Sequence, residues 1–413
     1  MWLLKYVLGR NVRKGSLILH DADGGRHLFG GREPGPKVTM RFHDRTLHRR
    51  FALNPGLAAG EGYMDGTLTF EDGSSVDDFV DLIAANRKAL AGQPGQRLLQ
   101  TVWRRLRRLQ QHNPIARSAG HAQHHYDLSE DLFRLFLDSS MNYSCAYWID
   151  PERESLEQAQ QNKMRHVAAK MGLKPGMRVL EIGSGWGGLA IYLAQNFDVQ
   201  VTAANVATQQ LSTSRRRADE AGVADRIEFV EKDYREIDGR FDRIVSIAML
   251  EHVGAAYLDT YFRKVGELLA PGGSALIHAG GRMNPPGTTG PFVRKYIFPG
   301  GYAPSLSEVL AATERTGLLV CDLEVLHLHY TWTLREWQRR FRANRERVVA
   351  LYDERFYRMW EFYLVAAEEY FRTGNNMIFQ LLLSTERDAV PIRRDYMIEA
   401  ERALAAKEQR AYA

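Results

Sequence analysis

Apolar and polar residues keep two different periods along this chain. In LILHDADGGRHLFG and KVTMRFHD they alternate between Gly, Asp and Pro breakers, the two-residue period of half-buried strands and hairpins. AAGEGYMDGTLTF (58–70) predicts a turn followed by another strand. SSVDDFVDLIAANRKAL (74–90) has serine caps, early aspartates and the apolar spacing of a helix. A polar stretch rich in Gly, Gln and Arg around 91–115 reads as a linker, so residues 1–115 form a small α+β domain. From residue 116 onward the pattern changes. RVLEI (178–182), VQVTAANV (199–206), RIEFVEKD (226–233), FDRIVSI (241–247) and GSALIHA (273–279) are strand candidates, for the most part short and apolar, as strands buried on both faces are. Helices between them predict an α/β domain over 116–413, built on a doubly wound parallel sheet. The tail from 334 to 413 reads as mostly helical, with WEFYLVAAEEYF (360–371) as its clearest amphipathic piece.

Composition narrows the class. Hydrophobic residues make up 45% of the 413 and charged residues 25%, as in a globular protein with a real core. No apolar run reaches the ~18 residues of a membrane-spanning helix. The segment MWLLKYVLGRNVRKG has charge inside its apolar stretch, so it does not read as a secretory signal. Two cysteines, Cys145 and Cys321, form no metal-ligand spacing and no disulfide framework, which fits a cytoplasmic setting. The net charge is +5 and the pI about 9.0. Two clusters, TVWRRLRRLQQ (101–111) and LREWQRRFRANRERV (334–348), interleave Arg with Leu, Trp or Phe at helical spacing. They read either as helices at an anionic membrane face or as ordinary solvated helix faces.

The strongest chemical signal is EIGSGWGGLAIYLA (181–194). Gly183, Gly185 and Gly188 form G-x-G-x-x-G between a strand and a helix, where missing side chains let the backbone approach a nucleotide-like ligand. Glu181, two residues before the first glycine, can meet a cationic amino-acid group on that ligand. Asn205 stands at the end of the second strand, where either class of nucleotide-like cofactor commonly meets an acid for the ribose, so it argues against an NAD enzyme and is mildly atypical of the other class as well. Asp233 and Tyr234 follow the third strand as a carboxylate and a ring suited to adenine. In HAQHHYDLSEDLFRLFLDSSMNYSCAYW (121–148), Ser129 starts a helix whose apolar face is Leu132, Phe133, Leu135 and Phe136. His124, His125 and His278 have no Cys, His or Asp companions at metal-site spacing, so no metal is expected.

HHYDLSEDLFRLFLDSSMNYSCAYW, VLEIGSGWGGLA, SIAMLEHVG (246–254), LIHAGG (276–281) and VRKYIFPGG (293–301) occur in an order that resembles the cyclopropane-fatty-acyl-phospholipid synthase family. Mycolic acid cyclopropane synthases are its relatives. LHRRFALNPGLAAGEGYMDG is similar to the synthases' own N-terminal domain. The resemblance implies a seven-stranded class I methyltransferase sheet and a catalytic domain over 116–413, with 1–115 as a lipid-associated domain. It implies S-adenosylmethionine as methyl donor and an unsaturated phospholipid in a membrane as substrate, approached from the cytoplasmic face without nucleic acid. A homodimer is a further partner that it raises, since the family contains dimers.

The resemblance also assigns roles. Tyr143, Ser144, Gly183, Gly185, Asn205, Val206, Gln210, Asp233 and Tyr234 would bind the cofactor. A bicarbonate ion, the base proposed for these synthases, would sit among Cys145, Glu251, His278, Gly280 and Tyr330, with Cys145 and Gly280 contributing backbone groups. Tyr147, Trp148 and Tyr296 would face a carbocation. The family usually reads LLHTIG where this chain has LIHAGG, so Ala279 and Gly280 replace Thr and Ile beside the base site. That widening keeps a methyl-branched product open beside a cyclopropane. An NAD(P)-dependent oxidoreductase and a non-catalytic membrane protein are the readings from other classes.

Overall fold

The computed structural model describes residues 2–91 and 128–411. The Arg cluster of 101–111, the linker, the domain boundary at 115, His124 and His125 lie outside them. The described residues fall into two compact units. One holds those of 1–107 with Gly287–Pro299 and Leu334–Asn375, and the other holds those of 108–286 with Gly300–Thr333 and Asn376–Ala413. The segment 334–375, which the sequence reading placed with the second domain, thus groups with the N-terminal residues.

The first unit is built on β1 (Lys14–His20), β2 (Arg26–Gly30), β3 (Glu33–Phe42) and β4 (Leu68–Glu71), in the order β2-β1-β3-β4. Asp21 makes the β1–β2 hairpin by accepting the Asp23 and Gly25 amides. As expected, a helix runs Val76–Ala85, closed by a Ser75–Asp78 capping box. The expected turn at 58–64 is instead part of the helix Pro55–Met64, started by Asn54 and Pro55. Packing overrides the glycines' turn preference there, because a Cβ on Gly60 would lie 2.3 Å from the Phe292 ring.

The second Arg cluster lies on helix His329–Ala343 and the start of helix Arg345–Leu351. Its charges meet acids of the same unit: Arg335 with Glu368, Arg342 with Asp77 and Glu361, Arg345 with Glu354. Arg339 and Arg340 both pair with Glu336. Trp337 and Phe341 are fully buried. This stretch is therefore an ion-paired helix face with its apolar side packed inward, the second of the two sequence readings.

The second unit holds β5 (Met177–Ile182), β6 (Val199–Asn205), β7 (Ile227–Glu231), β8 (Phe241–Ile247), β9 (Leu269–Arg282), β10 (Leu319–Leu326) and β11 (Asn376–Ser384). Their order is β10-β11-β9-β8-β5-β6-β7. β5 to β9 run parallel, while β11 is antiparallel to both β9 and β10. The five strands read from the sequence are all present. β10 and β11 were not read, and β11 puts a strand into a tail expected to be mostly helical. Leu180, Ile244, Ile277, Phe379 and Leu381 are buried in one layer between the sheet and helices such as Leu258–Leu268. The chain reverses its winding between β5 and β8, so the crevice for a ligand opens at their carboxyl ends.

Candidate active site

β5 ends in the glycine turn at that crevice. Gly183 and Ser184 both donate their amides to the Ala204 carbonyl, which ties the turn to β6. Gly187 has φ +80° and a Cβ there would lie 2.9 Å from Ser214, so a side chain is excluded twice over. Gly185, with φ +52°, would aim a Cβ into open space. The helix Gly188–Asn196 starts at once behind it.

Asn205, Val206, Gln210 and Gly185 are brought together by one side chain. Asn205 Nδ2 donates to the Gly185 carbonyl (3.2 Å) and to Gln210 Oε1 (2.9 Å), and its Oδ1 accepts the Val206 and Ala207 amides. A neutral amide suits that task, because it must both donate and accept. Asp233 sits at the end of the next loop, where both its oxygens accept from the Arg235 guanidinium. Tyr234 is buried edge-on against Tyr261, with Arg235 over its ring.

Glu181 is buried in β5, and its Oε2 has no hydrogen-bond partner among the described residues. Burial pushes its carboxyl up to about 8, against the pull of Lys163. An orphaned carboxylate oxygen beside the glycine turn fits the α-ammonium of S-adenosylmethionine.

Lys163 is one of the residues that sequence reading missed. It lies on the buried face of helix Leu156–Met171, where burial lowers its ammonium to about 8 against Asp138 and Glu181. Its Nζ donates to Asn142 Oδ1 (2.7 Å) and lies 3.4 Å from Ser144 Oγ. It also acts electrostatically on Cys145 and His278, so it neighbours residues of both sets that the resemblance assigns, to the cofactor and to the base. The available signal was a lysine at 163 in step with the buried Gln160 and Val167.

The LEHVG and LIHAGG motifs meet at the carboxyl ends of β8 and β9. The Gly280 amide donates to Glu251 Oε1 at 2.5 Å, and the Glu251 carbonyl accepts the Tyr302 amide at 2.8 Å. Glu251 Oε2 is sealed from solvent and has no partner among the described residues. Burial pushes this carboxyl up to about 7. His278 lies two residues before Gly280 on the same face of β9. Its Nδ1 is 3.2 Å from Gln380 Nε2, while its buried Nε2 has no partner among the described residues. Burial, reinforced by nearby lysines, lowers the imidazole to about 3 and keeps it neutral.

Cys145 is buried with its Sγ toward the Ala146 carbonyl, and burial raises the thiol far enough to keep it protonated. Tyr143 packs edge-on against Phe133, on the apolar face expected for the helix started by Ser129. Tyr147 is stacked between His166 (4.2 Å) and His329 (4.7 Å), so both its ring faces are covered and neither is open to a cation. Trp148 is buried, with its indole N–H donated to Thr333. Tyr296 lies in the first unit, where its hydroxyl donates to Glu61. Tyr330 is on the first turn of helix His329–Ala343. Among the described residues no three His, Cys, Asp or Glu side chains group as metal ligands.

Comparison with known proteins identifies the family. The mycolic acid cyclopropane synthetase family model matches residues 114–381. The cyclopropane-fatty-acyl-phospholipid synthase of Escherichia coli K12 is 36% identical over 345 residues, 84% of this chain and 87% of that protein. Tuberculostearic acid methyltransferase of Mycobacterium tuberculosis is 39% identical over 63% of this chain and 64% of its own. The solved structure of mycolic acid cyclopropane synthase CmaA1 with SAH and CTAB superposes with a TM-score of 0.61 at 30% identity, covering 66% of this chain and 99% of that one. The chain belongs to the mycolic acid cyclopropane synthetase family and is an S-adenosylmethionine-dependent methyltransferase.

Proposed function

We propose that this enzyme adds one carbon to the cis double bond of an unsaturated phospholipid acyl chain and closes it to a cyclopropane. The observation that carries this reading is the pair of sealed atoms, unpartnered among the described residues, Glu251 Oε2 on the short helix after β8 and His278 Nε2 on the neighbouring strand β9. An isolated alkene is a weak nucleophile, so S-adenosylmethionine supplies an electrophilic methyl on a sulfonium, and a bound bicarbonate supplies a proton acceptor. Alkylation leaves a cation on the acyl chain, and loss of a proton from the new methyl lets the ring close. The site must stay dry through both events.

Glu251, raised toward neutrality, holds a proton that it can donate to an anion, and His278 is neutral and can accept or donate. These two atoms fit a small, protonated oxyanion such as bicarbonate. Gly280 would act through Glu251, since its amide already holds that carboxylate. Cys145 would contribute its backbone, and Tyr330 its hydroxyl. Glu181, Gly183, Gly185, Asn205, Val206 and Gln210 would hold the cofactor, with Tyr143, Ser144, Asp233 and Tyr234 around it.

A second reading has its own support. Position 280 carries no side chain, and one of the relatives is named a tuberculostearic acid methyltransferase. Losing the proton from the chain instead of the methyl would give a branched alkene. Expression in a host with monounsaturated phospholipids tests both. A cyclopropane adds the mass of one methylene, resists mild hydrogenation and shows upfield ring protons; unchanged fatty acids would refute the proposal.

We place the enzyme at the cytoplasmic face of a membrane, docked through helix Trp2–Asn11. Trp2 (80%), Tyr6 (56%) and Leu3 (41%) are exposed there. Lys5, Arg10 and Arg13 are exposed nearby, and no acid precedes Asp21. Aromatic residues among cations suit an anionic lipid interface. No described helix is long and apolar enough to cross a membrane.

A further inference from the structure

The loop Asn142–Trp148 carries a cofactor residue, Ser144, immediately before a base-site residue, Cys145, and the structure holds its two ends differently. Helix Leu156–Met171 takes the first end. Gln160 Nε2 donates to the Ser144 carbonyl (2.9 Å) and lies 3.4 Å from that of Asn142, and Lys163 donates to the Asn142 side chain.

The second end is held chiefly by one turn of helix His329–Ala343. Thr333 Oγ1 accepts the Ala146 amide and the Trp148 indole N–H, both at 3.1 Å, while donating to the His329 carbonyl at 2.8 Å. Those three bonds match a hydroxyl's one donor and two lone pairs, and the Cys145 thiol lies within hydrogen-bonding reach of the same side chain. His329 Nδ1 accepts the Trp148 amide at 2.9 Å, which puts its proton on Nε2, and its ring lies flat on Tyr147. Three of the four N–H groups of Ala146–Trp148 are thus fixed by residues four apart on the turn that also bears Tyr330; the fourth, the Tyr147 amide, donates to the Ala159 carbonyl at 3.0 Å.

We propose that Thr333 and His329 are positioning residues that clamp the Cys145 loop to the Tyr330 turn and so set the geometry of the base site. The proposal rests on the base-site reading given above. It separates chemistry from cofactor binding, because the Ser144 side of the loop is held by other residues.

The test uses the full-length enzyme, S-adenosylmethionine and vesicles of monounsaturated phosphatidylglycerol. Thr333→Val keeps the shape and removes the acceptor, while Thr333→Ser keeps the hydroxyl. In Thr333→Val we expect kcat to fall about 10- to 100-fold, the effect of a small misplacement of reacting groups. The Kd for S-adenosylhomocysteine should stay within about twofold, and Thr333→Ser should recover most of kcat. An unchanged kcat, a parallel loss of S-adenosylhomocysteine affinity, or a Ser variant as impaired as the Val variant would overturn the clamp. His329→Phe, which keeps a ring on Tyr147 but removes the acceptor, should show the same split and decides the matter if Thr333→Val does not fold. If the wild type transfers no methyl to lipid, the function reading fails instead. Hydrogen exchange still decides the clamp then: amide 146 should exchange faster in Thr333→Val and amide 148 faster in His329→Phe, and rates equal to wild type would refute it.

Discussion

Gly280 holds Glu251 with its backbone, and its missing side chain is what leaves room for that carboxylate. The amide reaches Oε1 at 2.5 Å, and a Cβ on residue 280 would sit 2.9 Å from the same oxygen. The contact is with the far end of a flexible side chain, so a larger residue would shift the carboxylate and not the strand.

Gly280→Ile should therefore be tolerated. We expect stability within about 1 kcal/mol of wild type, as for a substitution whose neighbour can yield. Product should move toward the cyclopropane at the expense of any branched alkene, read as the ratio of the two by gas chromatography. An unchanged ratio would remove position 280 from product choice.

Glu251→Gln should lower kcat by roughly 10²- to 10⁴-fold, the range for losing an acid–base group, while S-adenosylhomocysteine still binds. The same variant has a stability signature. The Glu251 carboxyl is raised in the fold from 4.5 to about 7, so its stabilising contribution is complete below pH 4.5 and lost as pH rises through 7. The stability of Glu251→Gln minus that of wild type should thus grow between pH 5 and 8, by on the order of 2 kcal/mol. Denaturant melts of both proteins across that range measure it.

Lys163→Met should cost about 3 kcal/mol, because it leaves buried carboxyls without their cation. It should also weaken S-adenosylhomocysteine binding through Ser144 and Glu181. Adding Glu181→Gln should recover part of the stability. Strict additivity in that double-mutant cycle would show that the two residues are not coupled.

Trp2→Ala with Tyr6→Ala should reduce flotation with anionic vesicles, and rising salt should reduce it further as exposed cations are screened. Arg342→Ala should leave flotation unchanged, since Arg342 is held by Asp77 and Glu361. The reverse pattern would move the membrane face to the Arg-rich helix.

The parts of the fold that were legible in the sequence are those whose cause is local. FDRIVSI, with its β-branched Ile244, Val245 and Ile247, became β8 residue for residue, and Ser75 and Asp78 announced their helix through a capping box. β11 (NMIFQLLLS) was hidden because a fully buried strand has no alternation to set it apart from the helices around it. The glycine-rich helix Pro55–Met64 was hidden because only the distant Phe292 explains its bare positions. In the candidate site, Glu181, Glu251 and His278 were singled out through motifs that lie contiguous in sequence. Lys163 and Thr333 were not, because each acts on a loop far from it along the chain. Tyr147 was read as open to a cation, and only the two imidazoles stacked on it show otherwise.

The most direct measurement uses S-adenosylmethionine with a trideuterated methyl and vesicles of monounsaturated phospholipid, followed by mass spectrometry of the fatty acids. We expect the product to keep two deuteriums, because ring closure removes one from the transferred methyl. A product with all three would mean that the proton leaves the chain and a branched alkene forms, and no labelled lipid at all would contradict the proposed activity itself.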